Sequence, residues 1–235
     1  MLLAVHSIFE SISGEAGGFP QGTWCTFIRL QGCNLRCVWC DIPESRASEN
    51  PIRQMSLVDL MSEVRYKKNK HILITGGEPL SQPGIVELIY LLLSWDYKVQ
   101  LETNGSIIIP PIPGVHWVID YKGPSSGEHF RMESPSSAFA FGSEHLKALQ
   151  NLQEKERAGS IWIKYVVANQ EDLGTAIDSM YQLHDDGLFV PFIISPIDAK
   201  GNTIPTIINY IKDKGASLLE HIIFSIQIHK LFDLP

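Results

Sequence analysis

Residues 31–41 read Gln31-Gly32-Cys33-Asn34-Leu35-Arg36-Cys37-Val38-Trp39-Cys40-Asp41 and hold three of the chain's four cysteines. The spacing is C-x3-C-x2-C. Structural zinc normally wants four closed ligands, and a fourth cysteine or histidine at suitable spacing is missing here. The next histidine downstream, His71, opens a predicted strand. A [4Fe–4S] cluster usually takes four thiolates. With three, one iron is left open, and an open iron can coordinate the amino and carboxylate groups of S-adenosylmethionine. Cys25 stands alone in the strand-like run Thr23–Leu30 and reads as a small core residue.

Outward from this loop, short β-branched runs alternate with segments of helical period. Strands are predicted at Ala4–Phe9, Thr23–Leu30, His71–Thr75, Lys98–Glu102, Val115–Tyr121, Trp162–Val167, Phe189–Ser195 and His221–Gln227. Helices are predicted at Ser56–Lys68, Gln82–Trp95, Ser143–Gln153, Gln170–Leu183 and Thr203–Lys214. Ser56 and Asp59 stand in capping-box spacing at the start of the first. Repeated strand–helix–strand units imply an α/β fold with a parallel sheet covered by helices. Short connections imply one continuous domain, residues 1–235. In such architectures ligands gather at the C-terminal strand ends. The runs "TGGEP", "ETNGS", "DYKGPSSG" and "SPIDAKGN" all fall there, which predicts one shared mouth.

The net charge of −7 argues against a general nucleic-acid binder. The basic run Arg65–Lys70 reads as a solvated helix end. No apolar run approaches the roughly 20 residues that span a bilayer, and the first residues lack the basic n-region of a signal peptide. The expected location is the cytoplasm, with neither membrane nor nucleic acid as partner.

The cysteine spacing, with Trp39 before its last member and Gly76-Gly77-Glu78-Pro79 after the next strand, resembles the radical S-adenosylmethionine (SAM) superfamily. Over its whole length the chain resembles the 7-carboxy-7-deazaguanine synthases. The matching runs are "SISGEAG", "TFIRLQGCNLRCVWCD", "ITGGEP", "LETNGS", "DYKGPSSG", "FIISPI" and the terminal "FSIQIHKLFDLP". The resemblance implies a shortened, partial radical-SAM barrel of about six strands, forming a homodimer. It implies a radical SAM carbon–nitrogen lyase that contracts 6-carboxy-5,6,7,8-tetrahydropterin to 7-carboxy-7-deazaguanine with loss of ammonia, served by an electron donor such as flavodoxin. Cys33, Cys37 and Cys40 would hold the cluster. Trp39, Cys40, Asp41, Gly76, Gly77, Glu78, Asp120, Tyr121, Lys122, Ser195, Pro196, Ile197 and Asp198 would meet SAM. Ile12, Ser13, Gly14, Glu15, Arg29, Thr75, His229 and Pro235 would meet the substrate. Arg29 offers a bidentate fork for a carboxylate, and Glu15 can accept from pterin N–H groups.

Departures from the family pattern carry information. Ser13 stands where the family commonly has glutamine, and Asp120-Tyr121-Lys122 where it has Ser-Pro-Lys. Ile42 replaces the threonine whose hydroxyl helps hold Mg2+, so any Mg2+ would depend on substrate oxygens, water or Asp41. Two alternatives share the triplet. One is an activase of a glycyl-radical enzyme, in which "SISGE" and "QIHK" would not be expected. The other is a non-catalytic cluster-binding regulator.

Overall fold

The computed structural model describes residues 1–47, 52–128, 143–155, 161–197, 203–214, 220–232 and 234. The first half comprises β1 (Leu2–Ile12), β2 (Trp24–Leu30), β3 (Arg53–Ser56), α1 (Leu57–Lys67), β4 (His71–Gly76), α2 (Ile85–Ser94), β5 (Lys98–Thr103) and β6 (Val115–Tyr121). The second comprises α3 (Ser143–Lys155), β7 (Ile161–Val167), α4 (Gln170–Asp185), β8 (Phe192–Pro196), α5 (Thr203–Lys214), β9 (Ile222–Phe224) and the short turn α6 (Ile228–Leu231). The strands form one open sheet in the order β3-β1-β2-β4-β5-β6-β7-β8-β9.

From β2 to β9 every neighbouring pair is parallel. β1 runs antiparallel to both β2 and β3. The parallel, helix-covered sheet and its lack of closure agree with a partial barrel. Two details differ from the expectation. The parallel part has seven strands among the described residues rather than about six, and an antiparallel edge precedes it. The edge strand β3 is four residues long, too short to show a period of two, and so it was not legible as a strand.

Strand ends also shift for identifiable reasons. β8 starts at Phe192, because the Phe189 N–H instead donates to Gln153 Oε1 (2.6 Å) and the Phe189 ring stays exposed. β9 stops at Phe224, where the chain turns inward and buries Ser225 and Gln227. The apolar stripes of α1 (Leu60, Met61, Val64), α2 (Ile85, Leu88, Ile89, Leu92) and α4 (Leu173, Ala176, Ile177, Met180) join the strands in one core. Cys25 is buried with Phe19, Phe27 and Leu73 in a small satellite core, as expected of an inert thiol. Burial pushes its pKa up to about 11.

Ser56 caps α1: its Oγ accepts from the Asp59 N–H at 3.2 Å and donates to Asp59 Oδ2 at 2.7 Å. Ser56→Ala is expected to destabilise the fold by about 1 kcal/mol, while Ser56→Asn retains most of it. Chemical denaturation followed by circular dichroism measures both.

Candidate active site

Residues at or beyond the C-terminal ends of β2, β4, β5, β6 and β7 line one cavity of ≈ 460 Å³. The period of two along a strand decides which side chains reach it. Phe27 and Arg29, Leu73 and Thr75, Asp120 and Lys122, and Lys164 and Val166 all stand on the cavity wall. The alternate residues Ile28, Leu30, Ile74, Tyr121 and Tyr165 turn into the core.

One wall is the cysteine loop, which has no regular secondary structure of its own. Neighbouring segments supply its hydrogen bonds. The Gly32 N–H donates to Ser45 O (2.7 Å), the Glu78 N–H to Gly32 O (2.7 Å) and the Val38 N–H to Ser126 O (2.9 Å). Two guanidinium groups cap its carbonyls: Arg36 donates to Cys33 O and Leu35 O, and Arg46 to Cys37 O. Gly76 lies at φ +125°, and a Cβ there would collide with the backbone of Leu30; on Gly77 it would collide with Gly32 O. The two glycines let the end of β4 press directly on the loop, a role beyond the ligand approach expected of them.

Cys33, Cys37 and Cys40 are free thiols on this wall. Cys33 Sγ accepts from the Leu35 N–H (3.4 Å) and from Asn104 Nδ2 (3.8 Å). Burial pushes the Cys37 thiol up to about 11, and the Lys122 ammonium works against that rise. Three thiols, N–H donors on one sulfur and a buried ammonium make a donor set that fits a [4Fe–4S] cluster. Among the described residues, no three His, Cys, Asp or Glu side chains are placed to hold a single metal ion.

A second part of the wall is a buried charge network, which meets the cysteine loop where Lys122 lies over Trp39. Lys164 Nζ sits 2.5 Å from Glu15 Oε2 and 3.2 Å from Asp120 Oδ2, and Lys122 Nζ lies 3.0 Å from Asp120 Oδ1. Gln227 Nε2 donates to Glu15 Oε1 at 2.5 Å, and Lys230 Nζ to Gln227 Oε1 at 2.7 Å. Burial alone would raise the Glu15 pKa, but Lys164 and Gln227 hold it below the usual carboxylate range. Lys164 is raised well above its ordinary value, its neighbouring carboxylates outweighing burial. Glu102, beside Thr75 Oγ1 (3.4 Å) and Gln100 Nε2 (3.3 Å), is pushed up by burial and by the charges of Glu15 and Asp120. Arg29 stacks over Phe9 at 4.7 Å, and its buried Nε has no hydrogen-bond partner among the described residues.

Of the expected residues, Ile12, Gly14, Glu15, Arg29, Cys33, Cys37, Trp39, Cys40, Asp41, Thr75, Gly76, Gly77, Asp120, Lys122 and His229 line the cavity. Trp39 is fixed by Nε1 donating to Ser125 Oγ (3.0 Å), with Lys122 Nζ 5.0 Å from its ring centre. His229 Nε2 lies 3.7 Å from Asp41 Oδ2, and with Lys230 it counters burial to hold the Asp41 carboxyl below its usual range. Six expected residues stand off the wall. Ser13 is buried with its hydroxyl on Glu15 O (3.0 Å). Glu78 is buried beneath the loops, accepting from Leu80 N, Thr103 Oγ1 and Asn104 N. Strand alternation turns Tyr121 against Tyr165 (5.2 Å). Ser195 is buried with Oγ 3.4 Å from Glu15 Oε1, and Pro196 and Ile197 continue the edge of β8 along Val167. Asp198 and Pro235 lie outside the described residues.

Lys164 was missed, while Glu102 and Asn104 were read only as part of the "ETNGS" run and Gln227 and Lys230 only as part of the terminal "FSIQIHKLFDLP" run, without a role in the site. Lys164 carried a visible signal, a lone charge in the apolar strand Ile161–Val167. Glu102 had no such signal, since β5 also carries Lys98 and ends at Thr103.

The family model of the Radical SAM superfamily matches residues 27–111. Over 233 residues the chain is 32% identical to 7-carboxy-7-deazaguanine synthase of Clostridium acetobutylicum, covering 97% of this chain and 94% of that protein. It is 41% identical over 126 residues to the enzyme of that name from Aquifex aeolicus, covering 52% of this chain and 56% of that one. The crystal structure of QueE from Escherichia coli superposes with TM-score 0.69 at 20% identity, over 96% of this chain and 94% of that one. Streptococcus suis SuiB bound to S-adenosylmethionine gives TM-score 0.55 at 14% identity, over 83% and 48% of the two chains. At these identities the two structures speak for the fold.

The charge network sets the pH dependence of stability. Glu15 is depressed below its ordinary 4.5, so its contribution is complete above that pH and is lost as pH falls through the depressed value. Lys164 is raised above 10.5, so its contribution is complete below that pH and is lost as pH rises through the raised value. Lys164→Met strands the neighbouring carboxylates and is expected to cost about 3–5 kcal/mol at neutral pH. The double variant Glu15→Gln/Lys164→Met should recover part of that loss. Denaturant titrations from about pH 3 to about pH 11 measure both effects.

Proposed function

The chain belongs to the family of 7-carboxy-7-deazaguanine synthases, and from that premise we propose that its cavity converts 6-carboxy-5,6,7,8-tetrahydropterin to 7-carboxy-7-deazaguanine with loss of ammonia. One observation carries the reading. The three thiols of the cysteine loop share a single cavity with a buried arginine nitrogen that has no partner among the described residues, with buried Glu15 and with half-buried Glu102. Cys33, Cys37 and Cys40 would hold the [4Fe–4S] cluster, and the backbone of Gly76 and Gly77 would receive the methionine end of SAM. When bound, the cluster supplies one electron to cleave SAM and so provides the hydrogen-abstracting radical.

The remaining chemistry belongs to the side chains. Arg29 binds the substrate carboxylate through its free Nε face, held flat by Phe9. Glu15 and Glu102 accept from the amide and amino N–H groups of the pterin, and Thr75 joins them from β4. Lys164 keeps Glu15 ionised and therefore an acceptor. Lys122 and Asp120 fix the floor on which the cofactor side rests. His229, at the entrance to α6, closes the site over Gly14, where a Cβ would collide with the imidazole. Enclosure limits access of other hydrogen donors. Ile42 faces the cavity without a side-chain oxygen, so the enzyme is proposed to work without a Mg2+ ion held by this position. It is further proposed to act in the cytoplasm as a homodimer, reduced by a flavodoxin-type donor.

The test is an anaerobic turnover of the reconstituted protein with SAM, a strong reductant and 6-carboxytetrahydropterin, followed by mass spectrometry. 7-Carboxy-7-deazaguanine is the expected product, at the same rate with Mg2+ or with a chelator. Formation of 5′-deoxyadenosine alone would assign another substrate, and a strict Mg2+ requirement would mean that the ion is held by substrate oxygens, water or Asp41 instead. Arg29→Ala is expected to raise KM about 10- to 100-fold, the equivalent of one or two charge-assisted hydrogen bonds, with the cluster's absorbance unchanged. An unaltered KM would remove Arg29 from the substrate site.

A further inference from the structure

We propose that Asn104 tunes the reduction potential of the cluster by donating a hydrogen bond from its side-chain amide to the sulfur of Cys33. The inference rests on the reading that the three thiolates hold a [4Fe–4S] cluster. Asn104 follows β5 and was not among the residues expected to meet a ligand. Its Nδ2 lies 3.8 Å from Cys33 Sγ and 2.9 Å from Asn34 Oδ1.

The orientation of this amide is fixed by the chain. The Ser106 backbone N–H, which can only donate, lies 2.9 Å from Asn104 Oδ1, and the Ser106 hydroxyl lies 2.6 Å from the same atom. The oxygen must therefore face Ser106 and the NH2 must face the sulfur. Asn34 Nδ2 donates to Ser106 Oγ at 2.7 Å, which leaves that hydroxyl's proton for Asn104 Oδ1. The backbone is anchored as firmly. The fully buried carboxylate of Glu78 accepts the Asn104 N–H and the Thr103 hydroxyl, both at 2.7 Å, and the Gly105 N–H donates to Thr103 Oγ1 at 3.2 Å. A buried acid on the "GGEP" turn thus positions an amide on the "ETNG" turn against the first cysteine.

The arrangement singles out one thiolate. Cys33 Sγ receives two N–H donors, from Leu35 and Asn104. No such donor reaches the sulfurs of Cys37 and Cys40 among the described residues. Reduction adds one electron, and hence one negative charge, to the cluster and its thiolates; no bond within the protein breaks and no proton moves. A donor aimed at a ligand sulfur stabilises the more negative form and raises the potential. Asn104 is accordingly a positioning residue for electron entry, acting through Cys33.

The test is a dye-mediated redox titration of the reconstituted [4Fe–4S] protein and its Asn104→Leu variant, followed by electron paramagnetic resonance. Iron and sulfide contents are measured first. Absence of a cluster in the wild type would overturn the cluster reading itself, and this proposal with it. With the cluster present, the expected result is a shift of the variant to more negative potential, with reduction by dithionite less complete. An unchanged or more positive potential overturns the proposal. If Asn104→Leu fails to retain its cluster, the wild type decides. Side-chain 15N-labelled asparagine should give a weak nitrogen coupling to the reduced cluster in pulsed spectra. That coupling should survive Asn34→Ala; its absence from the wild type, or its loss in Asn34→Ala, overturns the assignment.

Discussion

The structure depends on a buried ammonium, that of Lys164. Removing a charge from water costs several kcal/mol even after relaxation, and only close partners offset it. Here the partners come from distant parts of the chain: Glu15 from the loop after β1 and Asp120 from β6. Glu15 in turn recruits Gln227 from the C-terminal turn, and Gln227 recruits Lys230. Backbone contacts follow the same path. The Ile228 N–H donates to Gly14 O, the Ala16 N–H to Ser225 Oγ, and Gln21 Nε2 to both Gly14 O and Ile226 O. The two ends of the chain are clasped over the cavity because a charge beneath them must be neutralised.

The cysteine loop answers a different constraint. A segment without helix or ladder must satisfy its polar backbone from outside, and it must do so without bulk, since the strand ends crowd against it. Gly76 and Gly77 meet the second condition, and Arg46 together with the Ser45, Glu78 and Ser126 backbone meets the first, with Arg36 capping carbonyls from within the loop. The "DYKGPSSG" run belongs to this support. Asp172, fixed at the start of α4 by Asn169, accepts from the Ser125 and Ala168 N–H groups, and Ser125 then holds the indole of Trp39. Motifs that read as cofactor contacts are here also the buttress of the loop that carries the thiols.

Local rules made the sheet, its helices and the shared mouth legible. Period two, period 3.6 and the Ser56 cap are properties of neighbouring residues, and they fixed β4, β6 and α1 to within a residue or two. The cavity wall was legible wherever a motif and strand alternation agreed, as at Arg29, Thr75, Asp120 and Lys122. Where the two disagree, the side chain leaves the wall: Tyr121 sits between two wall residues and points away from them, and the Glu78 carboxylate accepts from Leu80 N, Thr103 Oγ1 and Asn104 N. Lys164, Gln227 and Asn104 depend on contacts 149, 212 and 71 residues apart in sequence. No local pattern encodes a distance of that kind.

The charges left unbalanced in the cavity describe its ligand. Around Lys164, the carboxylates of Glu15, Asp120 and Glu102 outnumber the ammonium they share, and Lys122 is committed to Asp120. The cost falls on Glu102, whose pKa burial and its acidic neighbours raise. That side of the cavity is improved by a molecule presenting N–H groups. On β2, two strands from Glu102, Arg29 keeps a buried nitrogen without a partner among the described residues, and desolvation lowers its pKa; that end of the wall is improved by an anion. Two separate ligands would each relieve one strain, and each would lose its own freedom of motion on binding. A single rigid heterocycle with an N–H edge and a carboxylate relieves both for one loss of that freedom. A carboxylated pterin has that constitution, and the three thiols line the same cavity.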